Sequence, residues 1–304
     1  MYGLIISKYK IILWGIGALY NKLKNIFSYY ELTEQLEIVG LVAREMPDVR
    51  FLDGIPFYKS DRIIELEYDY IIVCSDEWYN EIVMDAIGYG VKREKILHYK
   101  ILQIPGMVLE EYLSLHKSRP TIISNNCWAG IIYNTLGLEC CSPTKNLFIK
   151  DWDYIKLISD LEKYMAEVPI YSHNEVDVHS NMEYPVLMLG DIEVHCNHTG
   201  NPEQAIKDWK RRAEKVNFKH IFIEMYTERL DVAEAFKNVA CDYRRVCFVP
   251  WETEEDCFMY LEKLPGQKEF WETVNGCASI NGIQLNVIKL LNGRNDSNRL
   301  RSFR

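Results

Sequence analysis

Short apolar runs alternate along this chain with stretches whose apolar positions recur every three or four residues, the pattern of strands separated by helices. Residues 10–15, KIILWG, form an apolar run rich in isoleucine that predicts a buried strand. GIGALYNKLKNIF follows, with Leu19, Leu23, Ile26 and Phe27 at helical spacing. LEIVGLVARE predicts a second strand, Asp53 to Tyr58 a short third, Tyr68 to Ser75 a fourth and KILHY a fifth, with helices after the third and fourth. Pro105-Gly106 closes this succession, and MVLEEYLSLHKSRP predicts a connecting helix ending at Arg119-Pro120. From residue 120 the alternation restarts. TIISNN reads as a strand, Cys127 introduces an apolar helix, and PVLMLGDIEVH reads as one strand. After the turn HTGNP, a helix is capped by Asn201 with Pro202 at its first position.

The fold class is therefore α/β. A Rossmann-like parallel-sheet domain spans residues 1–105, a connecting helix 106–119, a second and larger α/β domain 120–293, and a basic tail, RNDSNRLRSFR, 294–304. That division suits the length, because 304 residues exceed one ordinary core. Hydrophobic residues at 48% with 26% charged indicate a globular chain. The net charge of -9 and pI near 5.4 argue against general nucleic-acid binding, which needs a basic footprint. Nine cysteines, an odd number without a C-x-x-C pair, suit reduced thiols in a cytoplasmic protein. The apolar opening is interrupted by Lys8 and Lys10, too short to span a bilayer and without a cleavage signal, so no transmembrane segment is expected.

In the first domain, a strand, then Gly15-x-Gly17, then a helix makes the start of a mononucleotide-binding unit, where glycines let the backbone approach a phosphate. Tyr20 stands where a third glycine would complete the fingerprint. Arg44, after the second strand, either faces a phosphate or is solvated. Ser75 and Asp76 end a strand where ligands of open sheets collect, and Asp76 equally suits a helix cap. The succession resembles the small nucleotide- or sugar-nucleotide-binding domain attached to many bacterial sugar-modifying enzymes. The segments DGIPFY and YDYIIVCS carry that resemblance.

Beyond residue 120, the segments SNNCWAGIIYNTLGL, SPTKNLFI, YPVLMLGDIEVHCNH, AIKDWKRRAEKVN and HIFIEMY occur in an order that resembles domain-of-unknown-function family nineteen-nineteen, over roughly residues 120 to 290. Its members are commonly labelled exopolysaccharide-biosynthesis proteins. The resemblance implies a surface-polysaccharide context and supplies no reaction. After Tyr226 the sequence TERLDVAEAF departs from the family pattern.

A cysteine at a helix start is a candidate nucleophile, because the helix amides and dipole favour a thiolate. Asn125 and Asn126 can cap that helix or bind a substrate oxygen. Cys127-Trp128-Ala129 matches the surroundings of the papain-type nucleophile over those three residues only. A base comes from DIEVHCNHTG, where alternation along one strand would place Asp191, Glu193 and His195 on one face, with His198 just beyond. Either histidine can serve Cys127, with an acid orienting the ring. Alternatively, Asp191-Ile192-Glu193 imitates the paired acids of metal-dependent glycosyltransferases, or an acid and two histidines hold a divalent metal. Structural roles for all of these, and a buried Cys127, are the plainer reading. Trp209 and Arg212, three residues apart on one helix, can clamp a phosphate or sugar, and Lys145 and Asn146 lie in a turn nearby in sequence. The expected ligands are a nucleotide or nucleotide-linked sugar and a divalent metal, with no metal ligands assigned. Three functions follow: a sugar or acyl-group transferase using a nucleotide-linked donor, a papain-like thiol hydrolase or transferase using Cys127, and a non-catalytic sugar-nucleotide-binding or scaffold protein.

Overall fold

Ile11, Ile12 and Leu13 are fully buried within the first strand, β1 (Tyr9–Trp14), as a strand covered on both faces requires. The computed structural model describes residues 8–45, 48–104, 106–263, 266–277 and 285–293. Gly15 ends β1 at φ 106°, and α1 (Ala18–Leu32) then buries Tyr20, Leu23, Phe27 and Tyr30 along one stripe. β2 (Leu36–Ala43) runs parallel to β1. β3 (Phe51–Leu52) and β4 (Ile55–Lys59) form a hairpin through Asp53-Gly54, so the strand expected over Asp53 to Tyr58 is the turn and β4, with the unforeseen β3 before it. A short 3-10 turn, Ser60–Glu65, replaces the helix expected after it. β5 (Tyr70–Val73), α2 (Tyr79–Gly88), β6 (Ile96–His98) and α3 (Leu109–Ser118) complete this part.

The strand order is β3-β4-β2-β1-β5-β6, and every pairing except β3–β4 is parallel. The chain winds outward from β1 on one side and then starts again at β5 on the other. The reversal falls between the carboxyl ends of β1 and β5, where Gly15 lies against the Cys74 backbone.

The chain divides into two compact units, residues 1–117 and 118–304. The second opens with β7 (Thr121–Ser124) and α4 (Trp128–Thr135), followed by α5 (Asp151–Ser159) and α6 (Leu161–Ala166). An antiparallel sheet comes next: β8 (Ile170–Val176), β9 (Glu183–Leu189) and β10 (Ile192–His195), in the order β10-β9-β8. The chain continues through α7 (Pro202–Ala213), β11 (Ile221–Tyr226), α8 (Leu230–Lys237), β12 (Arg244–Val249), β13 (Phe258–Tyr260), α9 (Phe270–Cys277) and α10 (Val287–Leu291). A parallel sheet in the order β13-β12-β11-β7 forms from these. Leu187, Leu189, Ile192 and Val194 of the antiparallel sheet share one buried cluster with Ile123, Ile221, Ile223 and Met225 of the parallel one.

One expectation is corrected here, and one strand had no expectation at all. PVLMLGDIEVH is a hairpin rather than one strand: Leu189 pairs with Ile192 across Gly190-Asp191, and Gly190 adopts φ 61°. A two-residue turn led by glycine matches the strand twist, whereas a continuous strand would leave that glycine in an extended ladder. β8 had no sequence signal, because it is a largely exposed edge strand, IYSHNEV, without apolar alternation. No helix among the described residues is long and apolar enough to cross a membrane. The basic tail, residues 294–304, and Pro105 lie outside the described residues.

The two glycines of the first turn carry different constraints. A Cβ on Gly15 would stand 3.0 Å from the Cys74 carbonyl oxygen at a φ that side chains rarely adopt. Gly17, the residue before α1, has φ -76° and nothing within 4 Å of a Cβ. Gly15→Ala should therefore lower unfolding stability by about 1–3 kcal/mol, and Gly17→Ala by no more than about 0.5 kcal/mol. Urea titration of the two variants checks this, and equal losses would contradict it.

Candidate active site

At the carboxyl end of β7 the chain does not pass straight into α4; Ser124, Asn125 and Asn126 first fold into a buried turn. Asn125 extends the sheet with its side chain. Its amide nitrogen donates to the Tyr226 carbonyl at 3.0 Å, and its amide oxygen accepts from the Tyr226 N–H at 3.2 Å. Asn126 caps α4, its side-chain oxygen accepting from the Trp128 N–H at 2.6 Å, while Ser124 Oγ accepts from the Ala129 N–H at 3.3 Å. The free amides of residues 128 and 129 are thus satisfied within the turn. The two asparagines build the turn, and both amide groups are engaged there rather than turned to a substrate.

Cys127 is the residue at the mouth of this helix, partly exposed, and its Sγ lies 3.1 Å from His198 Nε2. His198 is exposed, on the turn after β10. The strands β7 and β10 do not adjoin; the segment between them in sequence joins them. Phe148 exchanges two backbone hydrogen bonds with His195, each 2.9 Å, and the next residue, Ile149, donates to the Asn125 carbonyl at 3.1 Å. Burial pushes the Cys127 thiol up to about 11, and the Glu224 carboxylate, when ionised, adds to that shift. Near neutral pH the sulfur is therefore a thiol rather than a thiolate, within 3.1 Å of an imidazole nitrogen.

Behind the turn sits a residue that the sequence reading passed over. Glu224, on β11 opposite Ser124, is fully buried, and Asn126 Nδ2 donates to its two carboxyl oxygens at 3.2 and 3.3 Å. Burial lifts its carboxyl to about 8, against which the Asn126 hydrogen bond works only partly. Its signal was a lone acid inside the apolar strand IFIEMY, a position where an acid is normally excluded.

The remaining candidates are dispersed. Asp191 lies in the hairpin turn, not on the face with Glu193 and His195, because Gly190-Asp191 is the connection between β9 and β10. Its carboxylate accepts from the Tyr164 hydroxyl at 2.7 Å and pairs with Lys156 at 3.2 Å. His195 is wholly buried, its ring facing Tyr184, Glu175 and Glu193. Trp209 packs in the core, and Arg212 donates to the Lys145 carbonyl at 3.0 Å. Lys145 reaches Asn134 at 3.4 Å, and Asn146, at φ 58°, lies against Gly130 of α4. In the first unit, Arg44 pairs with Asp85 at 2.8 Å and Glu81 at 3.4 Å. Ser75 Oγ accepts from the Trp78 N–H at 3.0 Å, so the serine rather than Asp76 serves the start of α2. Asp76 instead accepts from the Tyr99 hydroxyl and pairs with Lys100, both at 2.7 Å.

Comparison with known proteins matches residues 98–286 to a family described as a domain of unknown function, DUF1919, and residues 7–97 to a family described as C2185-like, N-terminal. An uncharacterized protein of Haemophilus influenzae is 28% identical over 114 residues, which cover 38% of this chain. The aligned stretch spans 52% of that relative's length.

Glu224 gives the site a pH signature. Its folded-state value, about 8, stands above the ordinary 4.5, so between those values the folded protein keeps a proton that the unfolded chain releases. This contribution is fully present below pH 4.5 and is lost as pH rises towards 8, at up to about 1.4 kcal/mol per pH unit. Glu224→Gln keeps an acceptor for Asn126 and removes the titration. Its stability, followed by urea unfolding across this range, should fall less steeply with pH than that of the parent. Parallel curves would show that Glu224 is ionised in the folded protein.

Proposed function

Because the chain belongs to the DUF1919 family, whose description names no reaction, we propose its chemistry from the site itself: thiol-dependent acyl transfer, with Cys127 as nucleophile and His198 as base. The observation that carries this is the 3.1 Å contact between Cys127 Sγ and His198 Nε2 on an accessible edge of the second unit. As Sγ attacks the carbonyl carbon of an ester, thioester or amide, its proton passes to Nε2, and the leaving group takes that proton when its bond to carbon breaks. Water or an acceptor hydroxyl then attacks the thioester carbon as its proton passes to Nε2, and the C–S bond breaks as Sγ takes that proton back. A neutral thiol suits this sequence, because proton transfer accompanies attack.

The first unit fits beside this as a Rossmann-like module for a nucleotide or nucleotide-linked donor. What favours that reading is the strand order, whose reversal between β1 and β5 coincides with the left-handed Gly15 and the uncrowded Gly17. The context we propose rests on the sequence resemblance alone, which implies exopolysaccharide biosynthesis: a cytoplasmic step of surface-polysaccharide synthesis in which an acyl group is moved.

Three experiments test these readings. Incubation with p-nitrophenyl acetate should acetylate Cys127, identified peptide by peptide by mass spectrometry, and His198→Ala should slow the reaction on the order of 100-fold. Alkylation of Cys127 by iodoacetamide should keep accelerating as pH rises towards 11, without the neutral plateau of a thiolate. Acetylation that spares Cys127, or that ignores His198, would remove the dyad. For the first unit, a sugar nucleotide should raise the unfolding temperature, by linkage, and Gly17→Val should abolish the shift while preserving the fold. No shift with UDP-, GDP- or dTDP-linked sugars leaves that unit a structural role.

A further inference from the structure

Glu193 and His195 alternate onto one face of β10, and the register carries that face across β9 to Glu175 of β8. Each of the three offers one ligand atom, and these atoms lie within 4.8 Å of one another. Ligand atoms held around an ion at about 2.1 Å stand roughly 3 to 4 Å apart, so small side-chain shifts close the set. A cation already sits among the carboxylates: Lys150 Nζ is 3.0 Å from Glu193 Oε2 and 3.6 Å from Glu175 Oε1.

His195 is the group that the lysine does not satisfy. Its side chain is 0% exposed, and Nδ1 faces the Tyr184 hydroxyl at 3.3 Å and Glu175 Oε2 at 3.4 Å. Nε2 has no hydrogen-bond partner among the described residues, and Glu193 Oε2 lies 3.7 Å away. A buried imidazole with one nitrogen facing the Tyr184 hydroxyl and the other unpartnered among the described residues has a nitrogen to give to a metal.

We propose that Glu175, Glu193 and His195 form a binding site for a divalent first-row cation, with the Lys150 ammonium as its occupant when the metal is absent. Two carboxylates with one imidazole suit Mn2+ and ions like it better than soft, thiol-preferring ions. Lys150 is half-exposed on the residue before α5, so its side chain can swing into solvent as the ion enters. The ion would tie β8, otherwise an exposed edge strand, to the strand that precedes His198. The site is distinct from the Cys127–His198 pair, and its test does not depend on that chemistry.

Mn2+ is the probe, because it binds the nine cysteines poorly. Tag-free full-length protein, stripped with chelator, is titrated with Mn2+ and followed by the electron paramagnetic resonance of the free ion. The expected result is one saturable site per chain whose bound spectrum shows nitrogen coupling from an imidazole. Glu193→Gln should weaken binding about tenfold or more, and Lys150→Ala should tighten it by removing the competing cation. Circular dichroism establishes that each variant is folded; if Glu193→Gln is not, the Lys150→Ala comparison decides. Absence of saturable binding, binding indifferent to Glu193→Gln in a folded variant, or binding weakened by Lys150→Ala would each overturn the proposal.

Discussion

The backbone of Phe148 and Ile149 is the joint on which the second unit depends. Phe148 pairs with His195 along the free edge of β10, and Ile149 donates to Asn125 in the turn that follows β7. Two adjacent residues thus bind the antiparallel sheet to the carboxyl edge of the parallel one. Backbone hydrogen bonds of about 3 Å between buried segments are both directional and costly to leave unmade. The joint therefore fixes the position of everything attached to it: Cys127 two residues beyond Asn125, His198 three beyond His195, and Lys150 one beyond Ile149.

Polar groups buried in this region are matched to one another in a chain. Tyr154 of α5 reaches the carbonyls of Ile123 and Glu224 at 2.9 and 2.6 Å, tying the helix to β7 and β11. Glu224 receives Asn126, and Asn126 caps the helix that carries Cys127. An ionised carboxylate at this depth would require a cationic partner, and the described hydrogen bond comes from a neutral amide. The neutral acid and the neutral thiol follow from the same burial. In the acyl transfer proposed above, a neutral pair would move its proton during attack rather than start as an ion pair, unlike a site where the helix amides are left open to a thiolate.

The cluster around His195 shows the opposite solution to burial. There charge is retained, with two carboxylates held by one lysine, at the edge of a sheet whose other face belongs to the core. The two histidines of HCNH thus stand three residues apart in different environments, one sealed among acids and the other exposed beside a thiol. The cause is the end of β10 at His195, after which the chain turns outward before Asn201 starts α7, its side chain accepting from the backbone amides of Glu203 and Gln204.

By itself the sequence determined the α/β class, the strands KIILW and TIIS, the Asn201-Pro202 helix start, and Cys127 at the mouth of an apolar helix, because these follow from local periodicity and capping. The hairpin at Gly190-Asp191 was misread as one strand, because the apolar run continues through the glycine-led pair that turns it. Glu224 was marked by an acid in an apolar strand. Only the tertiary structure decided between His195 and His198 as the partner of Cys127, removed Asp191 from their company, and brought Glu175 from β8 to Glu193. Those choices rest on pairings between residues distant in sequence, Phe148 with His195 and Ile149 with Asn125, and no local pattern encodes the register of such a contact.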